Sequence, residues 1–170
     1  MITRMNVWEQ QVGRAAATFP GIGRSNGYLH SILSKTNVSF DGRNPGVGIT
    51  TQDIPVAQGI DSSSWVSGLV AVRLHERNTW ANGASLKIVV QNIMLVPEEP
   101  DVVYVATAAD VATVSFTNVG TDNPPILRLT QFAAPIGPML RVLIRWEQGT
   151  TVQAGAQTAA ISVDLVGRPA

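Results

Sequence analysis

The chain has no cysteine among its 170 residues. That absence excludes a disulfide framework and every form of thiolate chemistry, nucleophilic or metal-binding. Charge is scarce too: Asp, Glu, Lys and Arg make up 14% of the sequence, against roughly 25% in ordinary soluble domains. The formal net charge is zero. Charge keeps solvated proteins apart, so a surface this poor in it suits a protein whose faces are covered by neighbours. Histidine is confined to His30 and His75, with no His-x-His or His-Glu-x-x-His spacing, so no convergent metal-ligand set is expected. No apolar run approaches the roughly eighteen residues of a membrane-spanning helix. The opening segment, MITRMNVWEQQVGR, lacks the apolar stretch of a signal peptide, and a cytoplasm is the expected site of synthesis.

What is present is β-patterning. Hydrophobic residues are 45% of the chain, and they alternate. In the stretch from Trp65 to Val96, Val66, Val70, Val72 and Leu74 share one parity while Ser67, Arg73 and His75 take the other. Leu86, Ile88 and Val90 alternate with Ser85, Lys87 and Gln91 in the same way. A strand points successive side chains to opposite faces, so each run has one apolar face. Asn82-Gly83 lies between them and tolerates the positive φ of a tight turn, so the two runs are expected to pair as a central hairpin.

Further strands are expected at Val38–Phe40, Val102–Thr107, Val111–Thr117, Ile126–Phe132, Met139–Glu147 and Ala159–Val166. Ile54–Ile60 reads as an edge strand, because Pro55 cannot donate to a ladder. Pro97 to Asp101 reads as an acidic loop. No repeat of 20–50 residues is visible. The spacing predicts an all-β fold, a jelly-roll-like antiparallel β-sandwich of about eight strands; an immunoglobulin-like sandwich is the second candidate. Residues 37–170 form this expected domain. Residues 1–36 form an expected N-terminal arm, with a possible short helix over Val7–Ala17 capped by Asn6. Glycine and proline interrupt the arm, and its Trp8, Phe19, Tyr28 and Leu29 need a surface to bury against.

Catalytic patterns are weak. Ser62, Ser63 and Ser64 offer hydroxyls and His75 an imidazole, but no Gly-x-Ser-x-Gly elbow is present. Glu98, Glu99 and Asp101 carry hard oxygens suited to calcium, although the two prolines beside them favour a stiff solvated turn. Neither Gly21-Ile22-Gly23 nor Gly46-Val47-Gly48 lies between a strand and a helix, as a phosphate loop requires. Ten arginines stand against two lysines, the preference of interfaces. Arg4, Arg14 and Arg24 recur in the arm, but zero net charge argues against nucleic acid. Arg141 and Arg145 share the outward parity of their strand and mark either an interface or a solvated face. Trp80, beside Asn78 and Asn82, is the one candidate for a sugar-stacking platform.

In pattern the chain resembles single jelly-roll structural proteins of virus and phage particles, of capsid, decoration or spike type. The resemblance spans about Val38 to Val166 and carries no functional residue across. It implies a non-enzymatic subunit that self-assembles or docks on a lattice as a homo-oligomer or beside other particle subunits. It further implies location in the virion after assembly in a host cytoplasm, with no cofactor, no membrane and no small-molecule substrate. The expected interface residues are Trp8, Phe19, Tyr28, Leu29, Arg141 and Arg145. The alternative expectation is a carbohydrate-binding sandwich that uses Trp80.

Overall fold

Alternation of apolar and polar residues becomes nine strands among the described residues of the computed structural model: β1 (Tyr28–Phe40), β2 (Thr51–Asp61), β3 (Trp65–Arg77), β4 (Ser85–Val96), β5 (Glu99–Val105), β6 (Ala112–Thr117), β7 (Ile126–Gln131), β8 (Met139–Glu147) and β9 (Gln157–Pro169). The structure describes residues 28–40, 51–96, 99–105, 110–118, 123–133, 135–147, 149 and 156–169. The expected helix over Val7–Ala17 and most of the arm lie outside them. The expected boundary at residue 36 falls inside β1, so residues 28–36 belong to the sandwich.

One sheet, here sheet A, runs β1-β9-β3-β7, and sheet B runs β2-β8-β4-β5 with β6 also paired to β4. All the pairings are antiparallel. β6 takes the first half of β4, from Ser85 to Val90, and β5 takes the second, from Ile93 to Val96. Together they act as one interrupted strand, which leaves a jelly roll with four positions in each sheet. β2 is an edge strand, as Pro55 requires.

The expected hairpin does not form. β3 and β4 sit in different sheets, and residues 78–84 carry the chain across the sandwich. Each strand has an apolar face, but parity alone cannot say whether two consecutive strands share a sheet. The crossing is built from specific contacts. Trp80 lies 1% exposed in the core with its ring edge-on to Trp146, centroids 5.2 Å apart. Its Nε1 donates to the Thr158 carbonyl at 3.0 Å. Asn78 both donates to the Ala156 carbonyl and accepts from the Thr158 amide, each at 2.8 Å. Asn118 Nδ2 donates to the Trp80 and Ala81 carbonyls at 2.7 Å.

Between the sheets, Val70, Val72 and Leu74 of β3 meet Leu86, Ile88 and Val90 of β4, Val142, Ile144 and Trp146 of β8, and Ile161, Val163 and Leu165 of β9. Each such side chain contributes on the order of 1.5–3 kcal/mol when fully buried. Val66 departs from its expected parity and is 62% exposed. A register shift between Trp65 and Ser67 turns Trp65 inward in its place. The expected acidic loop is also displaced, since Glu99, Pro100 and Asp101 belong to β5.

Candidate interaction faces

Each sheet has an outer face, and the two differ in chemistry. On sheet B, β8 sets Arg141, Leu143, Arg145 and Glu147 on the side away from the core, beside Gln91, Val89, Lys87 and Ser85 of β4; of these Leu143, Val89, Ser85 and Gln91 are nonetheless buried. The charges here are matched within the chain. Arg145 grips Asp53 of β2 through two bonds, Nε to Oδ1 at 2.7 Å and Nη2 to Oδ2 at 2.8 Å. Its Nη1 lies 4.0 Å from Asp110. Arg141 Nε donates to Gln91 Oε1 at 2.9 Å, and Gln91 Nε2 donates to Asp110 Oδ1 at 2.7 Å. Glu147 accepts from Lys87 and from the Ser85 hydroxyl. Two parallel bonds from one guanidinium to one carboxylate fix both side chains. The bond from Arg145 is the main cause that holds the Asp53 carboxyl below its ordinary pKa, and the same bond raises that of Arg145. Lys87 does the same for Glu147.

Sheet A is different. The register aligns Leu29 of β1, Val166 of β9, Leu69 of β3 and Gln131 of β7 in one row. The next row holds Ser31, Asp164, Ala71 and Leu129, and a third holds Ser162, Arg73 and Leu127. These outward positions alternate with the buried Val70, Val72 and Leu74 and with Ile161, Val163 and Leu165. Leu127 and Leu129 are 59% and 63% exposed. An apolar band thus crosses the sheet, with Arg73 and Asp164 beside it and the exposed Arg168 at its rim, one outward position beyond Val166.

Of the expected interface residues, Leu29 falls in that band and Tyr28 pairs with Gly167 at the corner of sheet A. Arg141 and Arg145 stand on the opposite face. Trp8 and Phe19 lie outside the described residues. Sequence reasoning passed over Leu127 and Leu129, although their alternation with Arg128 and Thr130 was open to view. Two leucines read as a core face, whereas here Arg128 turns inward, stacks on Phe116 and donates to the Ser115 carbonyl.

The sugar-platform expectation fails, because Trp80 is buried and its polar edge is bonded to the backbone. Ser62 is likewise buried, its hydroxyl donating to the Gly137 carbonyl at 2.7 Å. It sits at the opposite end of β3 from His75. His75 Nε2 instead meets Ser162 Oγ at 2.7 Å, and that oxygen also accepts from the Lys35 amide at 3.0 Å. No described carboxylate hydrogen-bonds His75 to orient it, and the cluster ties β1, β3 and β9 together at a register shift in each pairing. His30 packs its ring 5.3 Å from Trp65. Burial lowers its pKa, an effect partly offset by the charge of Asp61.

No protein-family model matches the sequence, and a comparison with curated proteins yields no match. Solved structures do match. The VP2 protein in a subviral particle of infectious bursal disease virus aligns with a TM-score of 0.50 at 13% identity, over 86% of this chain and 33% of that one. A structure of the Gx strain of the same virus aligns with a TM-score of 0.48 at 13% identity, over 85% of this chain and 32% of the other. The chain spans about a third of the length of these neighbours. At such identity the likeness is one of fold.

Proposed function

We propose that the chain is a structural subunit of a virus- or phage-type particle, a capsid or decoration protein that works through contacts with like subunits and not by catalysis. The observation that supports this reading is the jelly-roll topology, the fold in which VP2 of infectious bursal disease virus occurs in a subviral particle. The 14% charge content and zero net charge fit a surface meant to be covered. On this reading the protein resides in the virion and needs no cofactor. Trp8, Phe19, Tyr28 and Leu29 serve contacts with neighbouring subunits, and Arg141 and Arg145 supply the polar part of a second contact face.

Light scattering and negative-stain microscopy of the purified chain test the proposal. Closed oligomers or particles are expected, and a species of 18.1 kDa at every concentration would overturn it. A companion measurement assigns the arm. Because β1 opens at Tyr28, removal of residues 1–27 leaves all nine described strands. The truncated chain is expected to melt as a folded β-protein and to form no particles. Normal particles from it would remove the arm from assembly.

A further inference from the structure

The outer face of sheet A carries its own description of what covers it. Its apolar residues are Leu29, Leu69, Ala71, Leu127, Leu129 and Val166. Beside them stand Arg73 and Asp164, and among the described residues neither of these makes a hydrogen bond or ion pair. Several other described charges are matched inside the chain, Asp53 with Arg145, Lys87 with Glu147 and Lys35 with Glu76, while Arg168 stands exposed one outward position beyond Val166, at the rim of this face. Arg73 and Asp164, one free charge of each sign at the centre of the patch, can pair with their counterparts in a second copy, the property that a two-fold interface between identical copies demands.

We propose that this face packs against the same face of a second copy of the chain. The inference rests on the subunit reading above and names the contact. A two-fold axis lying between the sheets and running between Arg73 and Asp164 sets each Arg73 against Asp164 of the second copy. On the lattice of the sheet, where strands lie about 4.8 Å apart and outward positions about 6.8 Å apart, that axis passes beside Ala71 and Leu129. Each Leu129 then meets its own counterpart, and Leu69 faces Leu127 of the other copy. The small Ala71 lets the two backbones approach at the axis. Sheets packed face to face in this way sit about 10 Å apart with interdigitated side chains.

The face is small. Four strands and three outward rows cover roughly 400 Å², about half of the ~800 Å² that each partner contributes to a standard interface. The contact is therefore weak by itself and gains strength where a closed assembly repeats it.

Charge exchange tests the pairing in the full-length chain. Arg73→Asp and Asp164→Arg each replace two attractions with two repulsions in the homodimer. Each is expected to weaken self-association, followed by sedimentation velocity across concentration, by at least about tenfold. An equimolar mixture of the two variants restores opposite charges at both contacts and is expected to associate as a heterodimer. Single variants that associate like the parent, or a mixture that stays dissociated, would overturn the proposal. Circular dichroism confirms that each variant is folded.

Cross-linking gives a second readout, and the cysteine-free chain provides a clean background. Leu129→Cys, at a position already exposed, is expected to join to itself between copies with a short bis-maleimide. Thr158→Cys, exposed at the end of β9, is expected not to. Equal cross-linking at both sites would overturn the contact. The two readings fail separately. Particles that form unchanged from every charge variant leave the subunit reading intact and remove this interface. A charge-sensitive dimer that never forms particles does the reverse.

Discussion

Trp65 owes its place to the absence of two side chains. Its indole lies over Gly167, where an added Cβ would fall 2.2 Å from the ring carbons. Phe132 stacks on it with centroids 6.4 Å apart and takes the space over Gly68 in turn, where a Cβ would fall 2.6 Å from its ring. Neither glycine has a positive φ; what each supplies is room. Gly167→Ala is therefore expected to destabilise the fold by about 1–3 kcal/mol, as overpacking of a filled core does. In a Trp65→Ala background the same substitution should cost much less, since the clash is gone. Denaturant melts of the four proteins measure the coupling, and additive losses would show that Gly167 matters for another reason. His30, on the other side of Trp65, gives a pH signature. Burial lowers its pKa in the folded state, so the unfolded chain takes up the proton first and stability declines as pH falls below about 6.5. Asp53 and Glu147, whose folded-state pKa values are lowered by their partners, contribute stability that is lost only in the more acid range. His30→Phe keeps a ring against Trp65 and removes the proton. The parent melting temperature is expected to drop more than that of the variant between about pH 7.5 and 5; parallel curves would exclude His30 as the cause.

At the scale of the strand, periodicity was legible where a strand is regular and faces water on one side. β8 runs from Met139 to Glu147 as its alternation predicts, and in β6 the expected Ala112, Val114 and Phe116 are the buried face. Reading failed where a local device resets the period. The shift after Trp65 exchanges an exposed valine for a buried tryptophan, and no single residue there announces it. Trp80 was misread because a connecting segment has no period to declare its burial; its partners, Trp146 and Thr158, lie far along the chain. The exposed leucines of β7 were invisible for the opposite reason, since an interface has the same apolar signature as a core. The faces themselves can be tested. Val72→Asp and Ile88→Asp each place an unpaired carboxylate at a fully buried site and are expected to leave the domain unfolded or insoluble. Arg73→Ser, between two such positions on the outer face, should fold with a melting temperature near that of the parent. Similar behaviour of the two classes would mean that the strand faces are assigned wrongly.

At the scale of the whole molecule, the order in which the strands are made is not the order in which they stand. β9, the last of the described strands, lies inside sheet A between β1 and β3, and β8 lies inside sheet B between β2 and β4. Tyr28 pairs with Gly167, so β1 must wait for nearly the whole described chain before it has a neighbour. Contacts this distant in sequence close large loops and place the fold among the slow-folding topologies. The same order bears on the proposed contact. Asp164 and Val166 are carried by β9 and Arg73 by β3, and only the arrival of β9 brings them into one surface. Before β9 is in place the chain holds the cation without the anion, so in the pairing proposed above two such chains would present like charges to each other. In that pairing, recognition of self waits on the strand that completes the sheet.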